Sequence, residues 1–160
     1  MKKLVMILVL CAVSNVGWSK CVRGNCENGQ GIFSDPNRRY EGSFRNGSFY
    51  GEGVFEFLAR GKHQGDRYEG EFQNGDFHGY GAYYFLARGK HKGDIAIGEF
   101  RNGKLSGRGH YFWADGRRYE GEFLKWKRYG KSPLPYVSGC GRTGVVVEDC
   151  VSAAIVGATN

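Results

Sequence analysis

Two identical basic segments are the residues of this chain that most directly suggest chemistry. Residues 57–63 read FLARGKH and recur unchanged at residues 85–91, and each copy is followed after one residue by Gly-Asp. The cationic side chains of these segments and of the matching later segment are Arg60, Lys62, His63, Arg67, Arg88, Lys90, His91, Lys92, Arg117 and Arg118. If they lie side by side, they form a basic strip that attracts phosphate or carboxylate groups: lipid headgroups, an acidic glycan or an acidic protein.

The identity of the two segments also has a simpler explanation. A recent duplication that copied a solvated turn would produce the same sequence without any binding role. Binding to anionic vesicles or envelope glycans that weakens with salt would favour the strip, because salt screens exposed charges.

The four histidines do not predict a catalytic or metal site. His63 and His91 lie 28 residues apart and could line up as a metal pair, but solvated turn positions are the simpler interpretation. No serine or cysteine stands beside a histidine as an activated nucleophile. We therefore predict a protein that is not an enzyme, with no catalytic residues, no metal and no cofactor.

The composition predicts a folded domain in which glycine is needed for the backbone conformation and not for flexibility. Of 160 residues, 27 are glycine, 3 are proline and 15% are aromatic, and the net charge is +7. The scarcity of proline excludes collagen, and the aromatic content argues against a flexible linker. With 24% charged and 41% hydrophobic residues, the chain is neither a disordered polyampholyte nor a membrane bundle. We predict no nucleic-acid partner.

A tandem repeat must position the basic segments. Residues 40–57 read YEGSFRNGSFYGEGVFEF, residues 68–85 read YEGEFQNGDFHGYGAYYF, and residues 96–113 read AIGEFRNGKLSGRGHYFW. A fourth unit opens at residue 119, so the steps between units are 28, 28 and 23 residues. Because residues 28–33 match the second half of a unit, the array has about three full units with a partial unit at each end.

Each unit has the pattern of a β-hairpin. Tyr40, Gly42 and Phe44 alternate on one face of a first strand, and Asn46-Gly47 is the strongest short hairpin signal. The second strand places glycine where the first carries an aromatic ring, which lets the ring lie against the backbone. A lone hairpin cannot bury its aromatic row, whereas stacked hairpins can. The sequence therefore predicts an all-β fold: an elongated, curved, single-layer antiparallel sheet.

This pattern resembles the MORN (membrane occupation and recognition nexus) repeat. The resemblance rests on the tyrosine-x-glycine-x-phenylalanine start, the Asn-Gly pair, the glycine-x-glycine and the 23-residue step, over residues 28 to about 131. It implies a curved single-layer sheet that acts as a scaffold, a dimerisation device or, in some proteins, a lipid-contacting surface.

The units depart from the MORN pattern in several places. Two units carry five extra residues, Ala96-Ile97 replaces Tyr-Glu, and Leu105 replaces the phenylalanine near the turn. Lys125-Trp126 replaces Asn-Gly, which fits a terminal unit that must not invite another strand.

The two ends of the chain differ from the repeats. Residues 1–19 have a basic start, a short apolar run and small residues, which is the layout of a secretory signal peptide. We divide the rest into an N-terminal cap with the partial repeat (20–39), the repeat sheet (40–131) and a C-terminal cap (132–160). We expect an exported protein, in the periplasm, associated with the cell envelope or secreted.

Removal of residues 1–19 on export also removes Cys11 and leaves four cysteines. In an oxidising compartment, disulfides are the expected state of these four. Cys21–Cys26 and Cys140–Cys150 are the favoured pairs, because each closes a short loop at one end of the chain. The sequence alone allows three pairings. Zinc binding by these cysteines and lipidation of Cys21 are the alternatives that it leaves open.

The face opposite the aromatic row also carries aromatic residues. Tyr80 and Tyr84 lie on it in the second unit, and Phe112 in the third. A single layer cannot cover both of its faces. We therefore expect the C-terminal cap, a second copy or another protein to cover these exposed aromatic residues on the second face.

The favoured function is a non-enzymatic, exported scaffold or protein-binding module of the cell envelope. The alternative is a binder of anionic lipid headgroups or envelope polymers through the basic strip. Charge reversal separates the two functions, because only the alternative predicts lost binding with an intact fold. The four positions to reverse are Arg60, Lys62, Arg88 and Lys90. The sequence specifies neither the ligand or partner nor the oligomeric state.

Overall fold

The computed structural model describes residues 20–129, which form one antiparallel sheet of ten strands and no helix. The strands are β1 Lys20–Gly24, β2 Gly29–Ser34, β3 Arg38–Arg45, β4 Ser48–Phe57, β5 Arg67–Gln73, β6 Asp76–Tyr84, β7 Ile95–Arg101, β8 Lys104–Phe112, β9 Arg118–Leu124 and β10 Lys127–Tyr129. They lie side by side in sequence order, and the sheet stays open with β1 and β10 at its edges. The predicted all-β sheet of stacked hairpins is confirmed.

The ends of the chain bear on two further predictions. Cys21 and Cys26 form the predicted disulfide, which ties β1 to the residues that lead into β2. The predicted signal peptide, the C-terminal cap and the Cys140–Cys150 pair lie outside the described residues. Within residues 20–129, no helix is long and apolar enough to cross a membrane.

The hairpin turns are tight and stack on one another. In the β3–β4 turn, Asn46 and Gly47 have φ angles of 49° and 71°, and a turn of this kind needs positive φ at both central residues. The N–H group of each second turn residue also reaches the preceding hairpin. Gly75 donates to the Phe49 carbonyl at 3.0 Å, as Gly103 donates to that of Phe77. These bonds fix the spacing between neighbouring hairpins at the turn end of the sheet.

A continuous row of glycines crosses the sheet at mid-height. One residue from each of β1 to β9 contributes to the row: Gly24, Gly31, Gly42, Gly53, Gly70, Gly81, Gly98, Gly109 and Gly121. Two rings, of Tyr40 and Tyr68, lie over the row and are fully buried. A Cβ atom on Gly53 would lie 2.6 Å from carbons of the Tyr40 ring, and one on Gly81 equally close to the Tyr68 ring. The missing side chains therefore let a single layer bury tyrosines.

Aromatic rings cover one face of the sheet, which we call the aromatic face. In the first unit, β3–β4, the rings of Tyr40 and Phe49 stack at 4.0 Å. In the second unit, β5–β6, those of Tyr68 and Phe77 stack at the same distance. Such pairs contribute free energy beyond the area that they bury, roughly 1 kcal/mol each.

The third unit, β7–β8, fills its part of the aromatic face differently. Ala96 and Leu105 stand where the other units have the stacked tyrosine and phenylalanine, and both are buried. The ring comes instead from Trp126 in the β9–β10 turn, whose centroid lies 5.6 Å from that of Phe100 and 5.3 Å from that of Tyr83.

Trp126 repeats the ring contacts of Phe77 one unit further along. Phe77 contacts Phe72 of its own unit and Phe55 and Phe57 of the preceding one. The residues 28 positions later are those that Trp126 contacts: Phe100, Tyr83 and Phe85. The departures at Leu105 and Trp126 are therefore one exchange, in which a ring lost from one hairpin is supplied by the next.

The opposite face carries a smaller apolar cluster in the centre of the sheet. Ala82, Ile95 and Ile97 are buried there, because the partly buried rings of neighbouring strands surround them. Those rings belong to Tyr80, Tyr84 and Phe112. Ile97 occupies the position that carries glutamate in the other units, so the departure at Ala96-Ile97 creates this cluster.

Candidate binding groove

The two copied segments adopt one loop conformation. We call residues 58–66, between β4 and β5, the first loop and residues 86–94, between β6 and β7, the second loop. In the first loop, Gly65 donates its N–H to the Phe57 carbonyl at 2.7 Å, and Asp66 donates to the His63 carbonyl at 2.9 Å. The residues 28 positions later make the same two bonds at the same distances. The sequence identity is thus matched by the same backbone hydrogen bonds within each loop.

A buried aspartate joins the first loop to the second. The side chain of Asp66 is 2% exposed, and its Oδ1 accepts hydrogen bonds from the N–H groups of Leu86 and Ala87, both at 2.8 Å. Its Oδ2 accepts the Tyr83 hydroxyl at 2.8 Å and lies 3.0 Å from Nδ1 of His63. Because all these partners hold one carboxylate, the loops are fixed relative to each other.

Asp94 repeats this arrangement at the end of the second loop. It is also buried, and its Oδ1 accepts the N–H of Ala114 at 2.9 Å. Its Oδ2 accepts the Tyr111 hydroxyl at 2.7 Å and lies 3.0 Å from Nδ1 of His91. Burial, together with the bond to Asp66 or Asp94, raises the pKa of Tyr83 and of Tyr111. Both hydroxyls therefore stay protonated and keep donating in any physiological medium.

The loops border a groove of about 700 Å³ on the aromatic face. Its aromatic walls are formed by Phe57, Phe77, Tyr83, Phe85, Tyr111 and Trp126. Its polar rim includes Lys62, His63, Arg88, Lys90, His91 and Lys104. The groove therefore crosses the strands from the end of β4 to β8, and the ring of Trp126 reaches back from the turn beyond β9 to lie beside Tyr83 and Phe85.

The charge around the groove is strongly positive. Lys62, Arg88, Lys90 and Lys104 contribute cations, whereas Asp66 is the one carboxylate among the described residues that line it. Asp66 already accepts hydrogen bonds on both oxygens, so it offers little to a cationic ligand. A concave surface with cations of one sign concentrates anions near its walls.

A family comparison bears on the hairpins that build this groove. Residues 40–57, 68–85 and 97–117 match the model of the MORN repeat. Three MORN repeats build this part of the sheet. No curated protein is significantly similar to the chain.

The structure distributes the nine predicted binding residues over four places. Five of them line the groove between the MORN repeats: Lys62, His63, Arg88, Lys90 and His91. Arg60 and Lys92 are exposed on the loops without lining it. Arg117 bonds to Asp115 at 2.8 Å, and its guanidinium lies over the ring of Trp113.

The remaining basic side chains lie on the opposite face. Arg118 pairs with Phe112 across β8 and β9, in the strand row that also contains Tyr84 and Ile95. Arg67, which begins the second MORN repeat's hairpin, has its guanidinium over the ring of Tyr84. The predicted basic residues therefore do not form one strip. Five of them lie at the groove, and the others lie elsewhere on the loops or on the opposite face. The reason is strand alternation, which sends residues adjacent in sequence to opposite faces.

The two loop histidines are not brought together. They lie one MORN repeat apart, which is two strand spacings or about 9.5 Å. Zinc–nitrogen bonds are about 2 Å long, so a shared ion would need the nitrogens within about 4 Å. Within residues 20–129, no group of three or more His, Cys, Asp or Glu side chains is placed to hold a metal ion.

Sequence reasoning does not identify several residues that line the groove or hold its loops. The recurring Gly-Asp after each copied segment is the signal in the sequence that points to a structural role for Asp66 and Asp94. Trp126 was interpreted as a strand-ending departure from the MORN pattern, and Lys104 was not singled out. The burial of both aspartates also shows that the connection that follows each copied segment is not solvated throughout.

Proposed function

We propose that this chain is a non-enzymatic binding module that holds a protein partner in the groove between its MORN repeats. The observation that carries the proposal is the combination of aromatic walls and cationic rim in one concave surface. Aromatic rings supply contact area at low entropic cost, and the cations select an acidic partner. The MORN repeats are consistent with a scaffold or binding module.

Two features support a binding role over catalysis. Among the described residues that line the groove, none is a serine, threonine or cysteine that could act as a nucleophile beside His63 or His91. The aspartate that orients each histidine is also engaged by backbone N–H groups of the next connection. These carboxylates therefore serve the construction of the groove.

We further propose that the protein is exported and works at the cell envelope. The signal-peptide pattern of residues 1–19 motivates this location. The Cys21–Cys26 disulfide is compatible with an oxidising compartment. Fractionation of cells that express the tagged chain tests the location, and recovery of the uncleaved chain in the cytosol would refute it.

A matched pair of charge reversals tests the groove. R88E/K90E reverses two cations on the rim, whereas R60E/K92E reverses the same residue types at exposed loop positions that do not line it. We expect the oxidised chain to capture a partner from its own cell envelope at low salt. R88E/K90E should abolish capture and R60E/K92E should retain it. Equal loss with both variants would show that diffuse charge, and not the groove, binds the partner.

Anionic lipid headgroups or envelope polymers are the alternative ligand class. The observation in its favour is the cationic rim itself, which would attract phosphate groups in the same way as carboxylates. Co-sedimentation with phosphatidylglycerol vesicles at low and high salt distinguishes the classes. Salt-sensitive sedimentation that R88E/K90E abolishes, without protein capture, would favour the alternative.

The apolar cluster on the opposite face provides a second surface for association. Its buried centre, Ile97, is ringed by Tyr80, Tyr84 and Phe112. We propose that the C-terminal cap or a second copy of the chain covers it. Sedimentation velocity of the full chain and of a chain ending at residue 131 tests this: a monomer that dimerises on truncation supports the cap, and a dimer in both supports the second copy.

A further inference from the structure

We propose that the groove binds an acidic segment of a partner protein in the polyproline II conformation, with carboxylates three residues apart. This inference rests on the proposed function, since it names the kind of partner that the groove takes. It follows from the period of the groove, which is set by the stacking of the hairpins.

The groove presents chemically equivalent residues twice. Lys62 and Lys90 lie on its rim 28 residues apart, and Phe57 and Phe85 stand in its walls with the same separation. Because the two loops share one conformation and neighbouring units are two strand spacings apart, each pair is separated by about 9.5 Å along the groove. The rim therefore offers two equivalent cationic positions with a fixed spacing.

One peptide conformation matches this spacing on a single face. Polyproline II rises about 3.1 Å per residue with three residues per turn, so residues i and i+3 point the same way about 9.3 Å apart. A β-strand repeats its face at about 6.7 Å or 13 Å, and neither distance fits the rim. An α-helix repeats its face at about 5.4 Å or 10.8 Å, but its width of about 10 Å or more keeps its axis away from the groove walls.

The walls favour the same conformation. Polyproline II segments dock on grooves lined by aromatic rings, because the stiff chain loses little entropy and its proline rings pack on flat faces. The rings of the groove walls span four strand spacings, from Phe57 at the end of β4 to Tyr111 in β8, or about 19 Å. A segment of about six residues in this conformation has that length.

Peptides that differ only in charge spacing test the proposal with the full oxidised chain. The first peptide carries glutamates three apart in a proline frame, as in repeated Glu-Pro-Pro, and the second has the same composition with its glutamates adjacent. Titration followed by calorimetry should give affinity about tenfold higher for the first peptide. Equal affinities, or tighter binding of the adjacent-charge peptide, would overturn the proposal.

Removing one rim cation tests the two-point contact. K62A should weaken the three-apart peptide about tenfold and leave the adjacent-charge peptide nearly unchanged, because Lys90 remains. R60A, in the same loop but off the groove, should change neither affinity. Both sites are exposed, so both variants are expected to fold, and circular dichroism checks this.

The outcomes separate this inference from the proposed function. If R88E/K90E abolishes envelope capture but no acidic peptide binds, the inference fails while the binding module stands. If R88E/K90E leaves capture unchanged, the proposed function fails as well. Binding of phosphatidylglycerol vesicles in place of either peptide would overturn the inference. A dimer that R88E/K90E dissociates would overturn it as well, because that result would place a second copy in the groove.

Discussion

The second and third units cover the same face of the sheet with rings from different sources. In the second unit, Tyr68 and Phe77 stack within one hairpin. In the third unit, Ala96 and Leu105 leave space, and Trp126 from the following turn fills it. The loops show a parallel difference, because the aspartate that closes the first loop accepts two backbone N–H bonds from the next connection and its counterpart accepts one.

This difference shows how a repeat protein can end. The second unit is complete in itself, with its ring pair and its loop anchored on both sides. The third unit depends on the last hairpin for its ring, so that hairpin is attached by a large side chain as well as by its strand pairing. The backbone of Trp126 has a φ of 70°, which is uncommon for a residue other than glycine, and its ring lies in the space beside Phe100.

The largest expected effect comes from the loop aspartates. D66N turns one buried acceptor oxygen into an NH₂ group that faces donors, so it should lower the free energy of unfolding by about 3 kcal/mol. D94N should cost less, about 2 kcal/mol, because Asp94 accepts one backbone N–H fewer. Urea unfolding followed by tryptophan fluorescence measures both. Equal costs would remove the difference between the loops, and a neutral D66N would contradict the role of the buried carboxylate.

The glycine row provides a smaller contrast between the two units. A Cβ on Gly81 would collide with the Tyr68 ring, whereas one on Gly109 would meet the Ile97 carbonyl at 2.8 Å and Leu105 at 3.4 Å. Neither glycine has a left-handed φ, so the comparison isolates packing. G81A should cost about 2 kcal/mol and G109A about 1 kcal/mol in urea unfolding. If G109A were the more damaging, tyrosine packing would not be the reason for the row.

The exchange between Leu105 and Trp126 should appear as coupling. L105F alone overpacks the third unit and should cost about 1 kcal/mol, while W126G alone leaves a gap and should cost about as much. Together they return a phenylalanine to the hairpin and a glycine to the next turn, so the double variant should be about 1.5 kcal/mol more stable than additivity predicts. Strictly additive costs in the double-mutant cycle would show that the two residues do not share one space.

The fold could be predicted from the sequence because the same turn and strand signals recur in every unit. The Asn-Gly pairs predict the turns, and the alternation of Tyr40, Gly42 and Phe44 predicts which face is buried. In-register recurrence removes the ambiguity that a single hairpin would leave. The same information predicted the Cys21–Cys26 bond, since a short loop needs only local geometry.

The groove could be predicted from the sequence only in part, since its shape depends on which way each loop folds. The copied segments indicated the basic residues, but strand alternation sends Arg67 and Arg118 to the opposite face. The roles of Asp66 and Trp126 depend on contacts with residues in neighbouring units, such as Leu86 and Phe100. Contacts between units are not encoded in the pattern of one unit, so they could be described only from the structure.

Quenching of Trp126 fluorescence tests most directly whether the two loops form one cationic groove around the aromatic walls. A W18F/W113F chain leaves Trp126 as its single tryptophan, because the sequence contains three. At low ionic strength, iodide should quench Trp126 at least about twofold more than caesium does, each relative to free N-acetyltryptophanamide. R88E/K90E should bring this ratio to one or below, and R60E/K92E should change it little. Equal quenching by the two ions in the parent chain, or equal loss in both variants, would contradict the account.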